Sequence, residues 1–249
     1  MKTFWGASTI VLAAFAIGGP AFSADLPVKA PALVHTKALT PACGPYLAAF
    51  GGWNSVNSMS ESLGINGTDP REIQFNNGYV VGGAVGTCVP GWNWLRIEGE
   101  LSYRRNSVKN VTVGGEGSIA RSGHISALAV MANAWADFPV TSNVTVHAGG
   151  GIGAAHLNLN TNICGPGCNP PSALTVDGSD SVFAFQLGAG AAWHVMPSLA
   201  FTVDYRYFQA VDPKFNGTSN SFGVTSFTFG HDYQSHSVMV GLRKFFARP

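Results

Sequence analysis

Residues 95–103 read Leu-Arg-Ile-Glu-Gly-Glu-Leu-Ser-Tyr, and their alternation decides the fold. On an extended strand, Leu95, Ile97, Leu101 and Tyr103 share one face, while Arg96, Glu98, Glu100 and Ser102 share the other. In a half-buried strand of a soluble protein the charged face meets water and the apolar face meets a core. In a transmembrane β-barrel the sense is inverted: apolar side chains meet lipid and charges point into the lumen. The rest of the chain chooses between the two.

The N-terminus points out of the cytoplasm. Lys2 gives a positive n-region, residues 10–17 (IVLAAFAI) an apolar h-region, and Ala21-Phe22-Ser23 a small-x-small cleavage site. Residues 1–23 therefore read as a cleaved signal peptide. Its apolar run is too short to span a bilayer as a helix, and no later stretch approaches the required ~20 apolar residues. Loss of Lys2 takes Lys+Arg from 14 to 13, against 13 Asp+Glu, so the mature chain is formally neutral. Without a basic excess or stripe, nucleic acid is not an expected partner. Only 11% of residues are charged, and 31 are glycine. That balance suits strands whose outer face touches lipid. Residues 24–42 differ: Pro27, Pro31 and Pro41 oppose helix and ladder pairing, so this stretch reads as an extended periplasmic leader. Residues 43–249 read as one domain.

Eight strands are expected, over 45–54, 78–88, 93–104, 124–137, 143–156, 182–195, 198–208 and 235–246. Most exceed the ~5–6 residues usual in soluble sheets and match the ~9–11 that cross a bilayer at a tilt. Pro90-Gly91, Pro139-Val140-Thr141 and Met196-Pro197 are tight turns. They alternate with long connections at 55–77, 105–123, 157–181 and 209–234, polar and rich in Gly, Asn and Ser. Short periplasmic turns alternating with long outer loops define the expected class: an all-β, eight-stranded antiparallel transmembrane β-barrel with both termini periplasmic. Leu199, Phe201, Val203, Tyr205 and Tyr207 would face lipid. So would Phe183, Phe185, Leu187, Ala189 and Ala191, and Val238, Val240, Leu242 and Phe246. The second, fourth and fifth strands are too rich in Gly and Ala to assign a phase. Tyr46, Trp53, Trp92, Trp193, Tyr207 and Phe246 lie near strand ends, where interfacial aromatic girdles form.

Several motifs carry a family resemblance: the Ala24-Asp-Leu-Pro27 start with its proline-rich leader, Tyr46-Leu-Ala-Ala-Phe-Gly-Gly-Trp53, Met131-Ala-Asn-Ala-Trp-Ala-Asp-Phe138, Asp204-Tyr-Arg-Tyr207 and Ser237-Val-Met-Val-Gly-Leu-Arg243. In this order they resemble the small outer-membrane surface proteins of alphaproteobacteria, in the porin-family and outer-membrane immunogenic protein group with an OmpA-like barrel. The resemblance covers residues 1–246. It implies a Gram-negative outer-membrane location, insertion by the barrel-assembly machinery, lipid and lipopolysaccharide as surroundings, and surface antigens as relatives. It also implies a role for Ala24, because such proteins can be joined to peptidoglycan through the α-amine of an exposed Ala-Asp start. An inert spacer fits the same residues. One departure is that relatives usually end on an aromatic residue, whereas Ala247-Arg248-Pro249 follow Phe246 here.

The inward charges expected are Arg96, Glu98, Glu100, Arg104, Asp204, Arg206 and Arg243. They could form a conduction path or ligand site. They could equally form a mutually paired plug, because an eight-stranded interior is just wide enough for side chains and unpaired charge there is costly. Pairing is the expectation. Four cysteines in an exported chain invite disulfides, with three possible connectivities. The topology favours Cys43–Cys88, at the periplasmic rim of adjacent strands, and Cys164–Cys168, inside one loop. A metal at Cys164 and Cys168 would need two more ligands, and the nearest histidine, His156, is expected at a strand end. His124 and Ser126 share a strand face, similar to the His-x-Ser spacing of outer-membrane lipid A deacylases. Asp137 has the opposite parity, so no orienting acid shares that face. His147, His194 and His236 are scattered singly. No enzyme, metal or cofactor is expected. The expectation is a monomeric structural barrel serving envelope integrity and loop presentation, with loop-mediated adhesion to a host ligand or a narrow ion pore as alternatives.

Overall fold

The computed structural model describes residues 44–62, 70–113, 116–119, 123–163, 174–219 and 225–246, and every regular element in them is a strand. The signal peptide, the leader with Ala24, the cysteines Cys43, Cys164 and Cys168, and Ala247-Arg248-Pro249 lie outside the described residues. In chain order the strands are β1 (Tyr46–Val56), β2 (Met59–Ser62), β3 (Pro70–Phe75), β4 (Gly78–Val89), β5 (Trp92–Val113), β6 (Glu116–Ile119), β7 (Gly123–Pro139), β8 (Val144–Ile163), β9 (Leu174–Met196), β10 (Leu199–Ala210), β11 (Lys214–Ser219), β12 (Thr225–Gly230) and β13 (Tyr233–Phe245).

Eight of them close on themselves. β1 pairs β4, then β5, β7, β8, β9, β10 and β13 follow, and β13 returns to β1, every pair antiparallel. Closure leaves no free edge within the ring, the condition for burying a sheet in lipid. All eight expected segments are strands. Gly91 adopts φ +81° in the β4–β5 turn, where no side chain is easily tolerated. In the β7–β8 turn the Thr141 hydroxyl oxygen accepts from the backbone N–H of Asn143 and Val144. These turns share one end of the ring with the start of β1 and the finish of β13, which pair through Tyr46 and Phe245.

The other end departs from the expectation of loops. β5, β8 and β9 run well past the predicted ends at 104 and 156 and before the predicted start at 182. β2, β3 and β6 extend the sheet beside β5, and β11 and β12 extend it beside β9. The polar composition of these segments signals exposure rather than irregular backbone, since hairpins beside an existing edge satisfy their own hydrogen bonds. His156 is accordingly inside β8, not at its end.

The outer face carries the lipid-facing series. Ile97, Leu101, Phe183, Leu187, Phe201, Val203, Tyr205, Val238, Val240 and Leu242 are all exposed. So are Trp53, Trp92, Trp193 and Phe246 at strand ends, as a girdle requires. The undecided phases resolve with Val81, Val85, Leu128, Val130, Val146 and Ile152 outward. Tyr46 overturns its expected place in the girdle. It is 2% exposed and points inward, where its hydroxyl has a carboxylate to bond.

Candidate functional site

β5 supplies the spine of the lumen. Its inward positions run Arg96, Glu98, Glu100, Ser102, Arg104 and Asn106, all buried, because period 2 keeps every even residue on one face. Asp204 and Arg206 enter from β10, and Arg243 from β13. The barrel thus brings all seven sequence-selected charges into one interior.

Their partners form two knots. In the first, Arg96 Nη1 donates to Tyr46 Oη at 2.8 Å and to Glu98 Oε2 at 3.0 Å. Its Nε and Nη2 donate to Asp137 at 3.0 and 3.2 Å, a bidentate fork that fixes the guanidinium plane. Glu98 also accepts from the Tyr46 hydroxyl, Asn133 Nδ2 and Trp135 Nε1. In the second knot, Arg206 Nη1 donates to Glu100 Oε2, which accepts as well from Asn133 Nδ2 at 2.9 Å and Gln186 Nε2 at 3.0 Å. Gln186 closes the circuit by donating to Asn133 Oδ1 at 2.8 Å. Beside it, His147 Nε2 and Asp204 Oδ1 lie 2.6 Å apart. Gly190 makes room for that contact: a Cβ there would stand 2.5 Å from the Val203 carbonyl oxygen and 2.7 Å from Asp204 Oδ1.

Two arginines depart from the expected mutual pairing. Among the described residues, neither Arg104 nor Arg243 has a carboxylate at salt-bridge distance. Arg104 donates to Ser102 Oγ at 2.9 Å and lies 4.0 Å over the Phe208 ring; Arg243 lies 5.2 Å over Tyr46. Aromatic faces substitute for carboxylates in holding these cations. With Asp137 included, four arginines face four carboxylates, so the arginine and carboxylate charges are equal in number.

Sequence reading missed Tyr46, Asn133, Trp135, Asp137, His147 and Gln186 as members. The signal for three of them was the odd-numbered parity of Asn133, Trp135 and Asp137, hidden because alanines occupy the other face. It missed a second layer entirely. Toward the hairpin end, Ile125, Leu157, Leu159, Phe208 and Tyr233 form a dry cluster with Met59, Ile73 and Phe215 from β2, β3 and β11. Between Glu98, Asp204, Arg206 and Arg243 a void of about 10 Å³ remains, room for about one water.

Elsewhere, His194 and Thr145 lie 3.5 Å apart in the lumen, while His236 Nδ1 lies 2.7 Å from the Tyr205 hydroxyl on the outer wall. His124 and Ser126 face outward on β7 and Asp137 faces inward, as their parities require. Among the described residues no group of three His, Cys, Asp or Glu side chains could hold a metal. Cys88 is held in a disulfide.

A closed eight-stranded antiparallel barrel with an apolar, girdled exterior and a charged interior defines an integral outer-membrane β-barrel protein. The chain belongs to the outer membrane protein beta-barrel domain family, whose model matches residues 28–234. It is 28% identical over 229 residues to an uncharacterized protein of Brucella suis biovar 1 (strain 1330), covering 78% of each chain. It is 32% identical over 130 residues to an uncharacterized protein of Brucella abortus (strain 2308), covering 45% of each. Among solved structures it is similar to the outer membrane protein OprG from Pseudomonas aeruginosa, with a TM-score of 0.57, 12% identity and coverage of 84% of this chain and 99% of that one. These place the protein in the Gram-negative outer membrane.

Proposed function

We propose that this protein is a non-enzymatic, monomeric structural barrel that contributes to envelope integrity and presents its hairpins outside the cell. The observation that carries this reading is the occupied interior of the described barrel: a hydrogen-bonded charge network beside an apolar layer, with a void of about 10 Å³ between Glu98, Asp204, Arg206 and Arg243. Such an interior stabilises a membrane-inserted cylinder without offering a path or a cleft. In planar bilayers the purified protein is expected to give no unitary conductance. Reproducible channels would replace this role with the pore reading.

The leader extends the role to anchorage. Ala24, exposed by cleavage after Ser23, would be linked through its α-amine to peptidoglycan, with residues 24–42 spanning the gap from wall to barrel. Lysozyme digestion of cell walls followed by mass spectrometry should find a muropeptide on Ala24. An unmodified α-amine would leave the leader as a spacer. Cys43–Cys88 and Cys164–Cys168 are the proposed disulfides, the first clamping the leader to the barrel rim.

A second reading, adhesion to a host ligand, is favoured by the strand pairs β2–β3 and β11–β12, which continue from barrel strands β5 and β9 as recognition elements do. Deleting either hairpin and measuring binding to host matrix would separate it from a purely structural role.

A further inference from the structure

Beyond the closed ring the wall continues column by column, except at one seam. β1 and β13 pair as far as Val56 and Ser235, and the Asn57 N–H donates to the Gln234 carbonyl. Past that point β3, which runs into β4, pairs β5, and β2, which follows β1, pairs β3. On the other flank β11, which follows β10, pairs β9, and β12, which runs into β13, pairs β11. β2 and β12 therefore succeed two strands that pair with each other in the ring. Among the described residues they do not pair: β2 meets only β3, and β12 only β11. The extended wall ends in two edges where the ring below has none.

The two edges differ in chemistry. β2 reads Met59-Ser-Glu-Ser62, a short strand with a carboxylate in it. Shortness and charge are two of the devices that keep natural edges from pairing. β12 reads Thr225-Ser-Phe-Thr-Phe-Gly230, without proline or charge, and its register to β11 runs unbroken from Thr225 to Gly230. Thr and Phe favour a pleated, paired strand. The edge is also preformed. Phe215, opposite Phe229, is fully buried in the apolar cluster, and the Thr228 hydroxyl donates to Asn216 Oδ1 at 3.4 Å. At the foot of β12 the Asp232 carboxylate accepts from the Asp212 N–H and from Gln209, which ties down the link into β13. An ordered edge has little entropy left to lose on binding.

We propose that residues 225–229 of β12 form a strand-addition site for an extended, proline-poor peptide segment. The long-hairpin end faces outside, so the segment arrives from outside the cell. Along one edge of a strand, alternate residues direct their N–H and C=O outward, and an added strand satisfies them. Those main-chain hydrogen bonds supply affinity, and alternate side chains supply selectivity. The partner is a single segment, because β2 occupies the next column and would obstruct a preformed sheet. The uncharged edge sets no charge requirement, whereas proline is disfavoured because it lacks the N–H. The site deepens the adhesion reading and rests on it for its role.

The test uses the full-length mature protein folded in detergent. The probe is a fluorescent peptide of four Thr-Val repeats flanked by lysines, alongside the same peptide N-methylated throughout the repeats. Fluorescence anisotropy is expected to show binding of the first and roughly 10-fold weaker binding of the second, whose backbone donors are gone. Hydrogen exchange should slow at residues 225–229 when the first peptide is added. Thr228 is exposed, so Thr228→Lys places a charge on the edge, and it should weaken binding roughly 10-fold. The heat-modifiable gel band reports its folding. Asn158→Lys, on a strand paired on both sides, should change nothing. No binding, equal binding of the N-methylated peptide, or protection confined to other strands would overturn the assignment. Concentration-dependent protection of β12 without peptide would give the edge to a second copy instead. Host-matrix binding that is lost with the hairpin yet survives in Thr228→Lys would overturn strand addition and leave adhesion standing.

Discussion

Glu100 shows how one buried carboxylate organises this interior. It is 3% exposed and accepts from Arg206, Asn133 and Gln186. Glu100→Gln would leave the Arg206 guanidinium buried beside a neutral amide. The expected loss is about 3–5 kcal/mol, because an uncompensated buried charge is far more costly than a missing pair. Adding Arg206→Met should recover much of it. Urea unfolding of detergent-folded protein, followed by tryptophan fluorescence, measures both; equal stability of the single and double variants would contradict the pairing. Gly190→Ala makes a second prediction at this scale. Its Cβ would press on the Val203 carbonyl and the His147–Asp204 contact. A loss of about 1–3 kcal/mol is expected, seen as a lower conversion temperature of the heat-modifiable band.

At the scale of one element, β5 has two environments separated only by parity. Leu101 is 53% exposed toward lipid while Ser102 is 1% exposed in the lumen. Leu101→Arg puts a charge into the apolar band and should cost about 2 kcal/mol or more, whereas Ser107→Arg, beyond the girdle, should cost about 1 kcal/mol or less. Folding yield into lipid vesicles checks the contrast, and indistinguishable yields would argue against the assigned span. β7 shows where sequence reading stopped. Ile125-Ser-Ala-Leu-Ala-Val-Met131 is mostly apolar at both parities, so alternation could not say which set met lipid. Leu128 and Val130 do, while Ile125 and Met131 fill the lumen. Ile125, Ala127, Ala129 and Met131 belong to the buried apolar layer, which the same ambiguity hid.

At the scale of the molecule, two layers occupy the interior of the described barrel, the charge network and the apolar cluster stacked toward the hairpin end. Truncating one layer should therefore not open it. Arg206→Ala is expected to remain non-conducting in planar bilayers despite its lower stability. A channel in that variant alone would assign the seal to the charge network.

Sequence alone determined the eight long strands, the order of short and long connections, and the inward and outward sets wherever polar and apolar residues alternate. Those are local properties, fixed by the period of a strand and the chemistry of lipid. Tertiary structure alone decided which charge meets which. Arg96 finds Asp137 across 41 residues, and Arg206 finds Glu100 across 106. Tyr46 turns inward because a carboxylate waits there, and Arg104 and Arg243 rest on rings rather than acids. Such partners are set by barrel closure and register, which join residues far apart in the chain. The alternation at 95–103 specifies that its charges are enclosed; the closed ring specifies how they are satisfied.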